Sequence, residues 1–299
     1  MPAKQKRADR TPDAPVRLAV RKTYKLFVGG KFPRSESGRS YPVQGADGGF
    51  LANAALASRK DVRDAVQAAR KAFGGWSGAT AYNRGQILYR IAEMLEGRRA
   101  QFADEVAAGT GEPTAAALST VDAAIDRWVW YAGWADKYAQ VLGNANPVAG
   151  PYFNLSSPEP TGVVGIVAPA EPLLALVSVV APAIVTGNTV VVLASERHPL
   201  PAITLAEVLA TSDLPGGVVN LLTGSAAETA PWLAGHADVN ALDLAGVADA
   251  GQAAELERLA AENLKRVVRP AADDWRAEPG LGRLAAFVET KTVWHPRGV

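Results

Sequence analysis

Few side chains in this chain of 299 residues could do chemistry. It contains no cysteine, which excludes a thiol nucleophile, a disulfide and a cysteine-ligated metal. The three histidines, His198, His236 and His295, lack the spacing of a metal site, and no Ser-His-Asp arrangement can be argued from their neighbours. The residue types alone therefore predict neither a metal site nor a nucleophilic centre.

Composition and charge narrow the classes of function. Hydrophobic residues make up 48% of the chain and charged residues 20%, as in soluble globular proteins. A formal net charge of +1 gives no electrostatic basis for binding nucleic acid. The longest apolar run, 163–185, contains Glu171 and three prolines, so we expect no membrane span and a cytoplasmic protein. The basic, proline-interrupted segment 1–22 predicts a disordered tail rather than a secretory signal.

Three amphipathic helices are predicted after residue 57. The first begins at Ser58, supported by Asp61 three residues later, and ends at the Gly-Gly pair 74–75. Apolar stripes at helical spacing predict the second over Ile87–Leu95 and the third over Val121–Ala132.

Two stretches flank these helices. Residues 24–43 alternate in hydrophobicity and turn at a Gly-Gly pair, which predicts a short β unit. Residues 143–160 are rich in Gly, Pro, Asn and Ser, with an extended piece inside, and are interpreted either as a linker or as a protruding hairpin.

From residue 161 apolar strand-like runs alternate with helical ones. The predicted strands are Val163–Ala168, Asn188–Leu193, Val218–Leu222, Ala241–Leu244 and Arg266–Val268. Continuous apolar strands separated by helices are typical of a parallel sheet that is covered on both faces. The fold class is therefore α/β, with a Rossmann-like doubly wound parallel sheet. A polar linker over 270–282 and one further alternating strand, Ala286–Trp294, follow it.

Several motifs in this α/β region resemble the cofactor-binding half of aldehyde dehydrogenases. They are Gly162-Val-Val-Gly-Ile-Val-Ala-Pro169, Ala181-Pro-Ala-Ile-Val-Thr-Gly-Asn-Thr-Val190, Ser195-Glu196 and Leu214-Pro-Gly-Gly-Val-Val-Asn-Leu-Leu-Thr-Gly224. The helical part is similar to the family's N-terminal half, and Val288-Glu-Thr-Lys-Thr-Val-Trp294 resembles its last strand. The resemblance covers nearly all of residues 24–294.

The resemblance implies a division of the chain into four parts. These are a tail (1–22), an N-terminal and cofactor-binding domain (23–268, with the hairpin near 143–160), a linker in place of the catalytic domain (269–285), and a C-terminal oligomerisation strand (286–299). In the family, the strand near Val268 leads into the domain that carries the general-base glutamate and the attacking cysteine. No position here corresponds to either residue, and because aldehyde oxidation needs the thiolate, we expect a pseudoenzyme that is inactive by itself.

The cofactor site that the resemblance implies lacks several of the family's residues. The candidate cofactor-binding residues that remain are Ser195, Glu196, Gly224 and Gly246. The family's lysine that reaches the ribose is replaced by Leu193, and a second expected glycine by Ala226. The family's Thr-Gly-Ser motif reads Ala245-Gly246-Val247, and its oxyanion-binding asparagine is replaced by Glu171. We expect no cofactor, with NAD(P) as the alternative if the site still binds.

Three kinds of function follow from the resemblance. The first is a structural or regulatory subunit of a full-length aldehyde dehydrogenase, because the family's oligomerisation elements are retained. Self-association is an alternative to that partner. The second is an NAD(P)-dependent aldehyde oxidoreductase whose site is completed by a partner chain, and the third is a nucleotide-binding module. Neither nucleic acid nor a membrane is expected as a partner.

Overall fold

The computed structural model describes residues 20–298. Most of the predicted tail, residues 1–19, lies outside this range. The described chain opens with three short strands, β1 (Thr23–Tyr24), β2 (Ser40–Gln44) and β3 (Phe50–Ala55), which form a sheet in the order β1-β3-β2. Phe27 joins this unit to the main sheet through two backbone hydrogen bonds with Leu221 of 2.9 and 2.8 Å.

Five helices follow the small sheet. They are α1 (Arg59–Ser77), α2 (Ala81–Glu96), α3 (Arg99–Thr110), α4 (Thr114–Trp134) and α5 (Tyr138–Leu142). The Ser58 hydroxyl accepts a hydrogen bond from the Asp61 amide and the Asp61 carboxylate accepts one from the Ser58 amide, so the predicted cap is a reciprocal capping box.

The prediction that α1 ends at the Gly-Gly pair 74–75 is wrong. The helix continues to Ser77 because Trp76 is buried and its indole N–H donates to the carbonyl of Ile184 at 2.8 Å. Burying an indole with its polar group satisfied outweighs the roughly 1 kcal/mol that each helical glycine costs.

Residues 143–160 form the hairpin rather than the linker of the two interpretations. Its strands are β4 (Asn144–Asn146) and β5 (Tyr152–Pro160), which pair antiparallel.

The α/β region follows the predicted alternation. Its strands are β6 (Val163–Val167), β7 (Thr189–Leu193), β8 (Val219–Leu222), β9 (Ala241–Asp243) and β10 (Arg266–Val268), and its helices are α6 (Leu174–Val185), α7 (Leu200–Ala210), α8 (Ala226–Ala234) and α9 (Ala250–Ala261). All neighbouring strands pair parallel, in the order β10-β9-β6-β7-β8. The sheet is therefore the predicted doubly wound parallel sheet.

Each face of this sheet packs on its own set of helices. Alternate strand residues such as Val191 and Leu242 share one apolar cluster with α1, α8 and α9. The intervening residues, such as Val190 and Ile166, share the other with α2, α4, α6 and α7. Covering both faces explains why the strands are apolar at every position rather than alternately.

The chain ends in a short helix, α10 (Gly282–Ala286), and a long strand, β11 (Val288–Pro296). The helix was not predicted. All nine residues of β11 pair antiparallel with β5, which gives a third sheet in the order β11-β5-β4. The Phe287 carbonyl fixes the start of β11, because it accepts hydrogen bonds from the Thr161 amide (3.1 Å) and from the Asn188 side chain (2.9 Å).

Candidate functional site

The main sheet reverses its winding direction at the central strand β6. From β6 the chain winds outward to β7 and β8 on one side, and β9 and β10 lie on the other. In doubly wound sheets, ligands bind beyond the carboxyl ends of the strands at such a switch point. The four predicted cofactor residues and Glu171 all follow strands on this edge. Ser195, Glu196 and Gly224 lie on the β7–β8 side, whereas Gly246 lies beyond β9.

Gly246 is held by the protein's own backbone. Its amide donates to the carbonyl of Val167 at 2.9 Å. A Cβ at this position would lie 2.0 Å from the carbonyl oxygen of Ala168. The loops after β6 and β9 are thus in direct contact, and the Gly246 amide that the resemblance assigns to a pyrophosphate is already bonded to the Val167 carbonyl.

Gly224 is also in contact with this chain. Its φ of +122° lies in the region that favours glycine, and an added Cβ would lie 2.8 Å from Leu56 Cδ1 and 3.1 Å from the Ala57 amide nitrogen. The Ala57 amide donates to the carbonyl of Thr223 at 2.9 Å. The glycine therefore accommodates the segment that leads into α1.

Ser195 and Glu196 follow β7 and are accessible. The Ser195 hydroxyl accepts a hydrogen bond from the His198 amide at 3.2 Å. The Glu196 side chain is exposed, and among residues 20–298 its carboxylate has no hydrogen-bond or ion-pair partner. Tyr41 donates to the Glu196 carbonyl at 3.3 Å, and burial together with the nearby Glu196 charge raises the pKa of that phenol. Of the predicted cofactor residues, Glu196 is the one with an exposed carboxylate available to a ligand.

These residues do not fit NAD(P) in the way the resemblance implies. Leu193, where the family has a ribose-binding lysine, is buried, as is Ala194 beside it. The α8 helix begins at Ala226, so the position of the expected second glycine carries a methyl group at the helix start. One accessible carboxylate and one helix N-terminus remain.

Glu171 lies beyond the carboxyl end of β6 and is partly buried. Burial raises the pKa of its carboxyl to about 7, with Glu112 and Asp274 adding to the rise and Arg276 and Arg127 opposing it. It lines a cavity of about 380 Å³ together with Glu112, Thr120 and residues 273–276 of the linker. The switch-point crevice is thus bordered by the linker that follows β10.

The middle of the linker is bound to the helical layer. The guanidinium of Arg127, on α4, donates to the carbonyls of Trp275 and Ala277 at 2.7 and 3.0 Å, and to the Ser178 hydroxyl at 2.9 Å. Arg276 donates to the Thr120 hydroxyl at 2.7 Å. These bonds make the linker part of the folded unit.

A buried ion pair fixes the end of the linker to the main sheet. Asp243, the last residue of β9, is fully buried and accepts from Arg283 of α10 at 2.8 Å. Arg283 also bonds Asp273 at 2.7 Å, and its guanidinium lies 4.8 Å from the Trp275 ring centroid. Burial raises the pKa of the Asp243 carboxyl, and the pairing with Arg283 opposes the rise.

Sequence reasoning missed this pair, although one signal was present. An aspartate inside the apolar run Ala241–Leu244 is unusual, because a buried carboxylate needs a charged partner. The partner could not be found from the sequence, since 40 residues separate Asp243 from Arg283.

Within residues 20–298 no group of His, Asp and Glu side chains could hold a metal ion. The three histidines lie apart, after β7, after α8 and in β11. No helix in that range is sufficiently long and apolar to cross a bilayer.

A family model, described as "Aldehyde dehydrogenase family", matches residues 32–269, which reach from the N-terminal sheet to the end of β10. This chain belongs to the aldehyde dehydrogenase family. The match ends where the linker begins.

Relatives and solved structures agree with this assignment. The aldehyde dehydrogenase, cytosolic 1, of Elephantulus edwardii is 34% identical over 264 residues, which cover 86% of this chain and 52% of that relative. The NAD+ complex of an aldehyde dehydrogenase from Bacillus cereus has a TM-score of 0.77 at 29% identity, over 82% of this chain and 50% of that one. An NAD-dependent aldehyde dehydrogenase from Sinorhizobium meliloti has a TM-score of 0.77 at 30% identity, over 83% and 50%. The chain spans about half the length of these relatives.

Proposed function

We propose that this chain is a non-catalytic subunit that associates with a full-length aldehyde dehydrogenase, in a structural or regulatory role. The observation that carries the proposal is the three-stranded sheet β11-β5-β4. It forms completely within the chain, yet Asn154 is the one buried residue in its strands. The outer edge of β11 has no strand beside it in the described part of the chain.

The faces of this sheet carry exposed apolar side chains. Phe153 is 53% exposed, Leu155 45% and Trp294 56%. Strand alternation places Phe153 and Leu155 on one face with Val293, and Trp294 on the other with Tyr152. An open edge flanked by apolar side chains is an aggregation hazard unless a partner covers it. Addition of β11 to a partner's sheet would pair its free backbone groups.

The chemistry of the family supports a non-catalytic role. The chain has no cysteine, and residues 269–287 connect β10 to β11 where the family has its catalytic domain. Arg127 and Arg283 bind this linker to the rest of the fold. A second copy of this chain offers no catalytic domain against which the exposed sheet could pack, which favours a full-length partner.

Deletion of residues 285–299 is expected to abolish association with the full-length enzyme. The tagged protein would be isolated from its own cells and the co-purifying enzyme quantified by mass spectrometry. Because Phe287 is buried, the deletion also removes core contacts. A Phe153→Lys, Leu155→Lys double variant avoids this problem, since both side chains are exposed.

The matched control is Tyr89→Lys, an exposed aromatic on α2 outside the sheet. Loss of the partner in the double variant but not in the control supports the proposal. Retention of the partner by both the deletion and the double variant would overturn docking through this sheet.

A second candidate is a dehydrogenase whose site is completed by a partner chain. The accessible carboxylate of Glu196 favours it, because such a group can accept ribose hydroxyls. Calorimetry with millimolar NAD+ and NADP+ tests this candidate: heat that is lost in Glu196→Gln would support it, and no heat in the isolated chain or in its complex would end it.

A further inference from the structure

A cavity of about 470 Å³ lies outside the site described above, on the helical layer formed by α1, α8 and α9. None of the four predicted cofactor residues lines it. We call it the α1–α8–α9 cavity. Its walls combine two guanidinium groups, from Arg59 and Arg63, with apolar surface from Val62, Trp232 and Leu259. The volume is within the range of small-molecule sites.

The charged side chains that line the cavity are all positive. No carboxylate lines the cavity, whereas Arg59 and Arg63 both do. The two arginines are four residues apart on α1, so they lie on the same side of the helix. Arg63 bonds the adjacent Asp64 at 3.0 Å, but both side chains are about half exposed and such a pair is weak.

The Arg59 guanidinium is held against an aromatic ring, and its N–H groups remain available as hydrogen-bond donors. Its guanidinium lies 3.9 Å from the centroid of the Trp232 ring. Among residues 20–298 it donates no hydrogen bond and forms no ion pair. Stacking on an indole fixes the plane of a guanidinium while leaving the N–H groups on its edge free. Such an arrangement is suited to binding a planar carboxylate through two parallel hydrogen bonds.

His236 also lines the cavity. Its Nδ1 accepts a hydrogen bond from the Asp238 amide at 3.1 Å. Burial lowers the pKa of this imidazole.

We propose that the α1–α8–α9 cavity binds a small organic carboxylate with an apolar body, its carboxylate on Arg59 and Arg63 and its body against Val62, Trp232 and Leu259. The carboxylate accepts hydrogen bonds from the guanidinium N–H groups that have no partner in the described chain. The apolar body covers the exposed part of the Trp232 side chain, which is 45% accessible. The site is independent of any cofactor and of the sheet that docks the partner.

Titration calorimetry of the full chain with octanoate, octanol and inorganic phosphate tests this site. Saturable binding is expected for octanoate, with octanol and phosphate each at least about tenfold weaker because each lacks one half of the recognition. The Arg59→Gln, Arg63→Gln double variant is expected to weaken octanoate binding by about tenfold or more. Arg258→Gln is the matched control, since this α9 arginine pairs with Glu255 and lies outside the lining.

Three outcomes would overturn the proposal. The first is no saturable binding of octanoate. The second is equal octanoate affinity in wild type and the double variant, which would place binding elsewhere. The third is octanol or phosphate binding as tightly as octanoate, which would show that the cavity does not recognise an amphiphilic carboxylate.

Discussion

At the scale of single residues, Gly246 shows how closely the backbone packs at the switch-point edge of the sheet. Its Cα packs against the carbonyl of Ala168, where an added Cβ would lie 2.0 Å from the oxygen. Gly246→Ala is therefore expected to lower the free energy of unfolding by about 3 kcal/mol, because backbone atoms must shift to accept the methyl group. Urea unfolding measures the change.

The matched control for this substitution is Gly133→Ala on α4, where a Cβ would meet nothing within 4 Å. It is expected to be neutral or to stabilise by up to about 1 kcal/mol. Equal effects of the two substitutions would contradict the packing described for the sheet edge.

Glu171 gives a prediction about pH. Burial raises the pKa of its carboxyl to about 7 in the folded state, above the ordinary value near 4.3 in the unfolded chain. The stability contributed by the protonated form is complete at acidic pH and is lost as the pH rises from about 4 to about 7. Glu171→Gln should remove this loss. Its stability relative to wild type should rise by about 1–2 kcal/mol from pH 5 to pH 8, after allowance for partial solvent screening.

Thermal and urea unfolding of wild type and Glu171→Gln across that pH range provide the measurement. Parallel pH profiles for the two proteins would show that the carboxyl is already ionised in the folded state at pH 5.

The positions of Ser195, Glu196, Gly224 and Gly246 after strands of one parallel sheet follow from the strand pattern, and their binding of a cofactor stays a prediction. What those residues contact was not predictable. A glycine in a sequence shows that a side chain is missing, but not whether a ligand or a carbonyl such as that of Ala168 takes the space.

At the scale of secondary-structure elements, the linker between β10 and β11 gives the next prediction. It is held by the buried pair of Arg283 and Asp243. Arg283→Met is expected to destabilise the fold by about 3 kcal/mol or more, because it leaves a buried carboxylate without its partner. Arg266→Met is the control, since Arg266 and its partner Glu289 are both about half exposed and the expected change is below about 1 kcal/mol.

Chemical unfolding of both variants measures the two effects. Similar small changes in the free energy of unfolding for Arg283→Met and Arg266→Met would contradict this account. They would show that the pair of Arg283 and Asp243 does not anchor the linker.

The elements that the sequence predicted are those with a strong periodic signal. The apolar strands β6 to β10 were predicted to within a few residues, and helices were predicted between them. The helix α3 was missed because it has no side-chain N-cap and buries just Phe102, Ala103 and Val106. The helix α10 was missed because its five residues follow a run of Gly and Pro and are held by tertiary contacts, Leu284 in the core and Arg283 on Asp243.

At the scale of the whole molecule, the linker and the sheet β11-β5-β4 differ in how they are packed. The linker lies beside the switch-point edge of the main sheet and is held there by bonds from Arg127 and Arg283. The sheet β11-β5-β4 stays exposed on both faces and along the β11 edge. The sequence predicted the last strand and gave a hairpin as one of two interpretations of residues 143–160. The resemblance implied that the two form one sheet, and residues 288–296 do pair with residues 152–160.

The native mass of the tagged protein isolated from its own cells, combined with peptide mass spectrometry, tests the proposed role most directly. We predict a stable complex that contains a full-length aldehyde dehydrogenase and has a mass well above that of this 31.3 kDa chain. A lone monomer or a homodimer without that enzyme would contradict the proposal that this chain is a non-catalytic partner subunit.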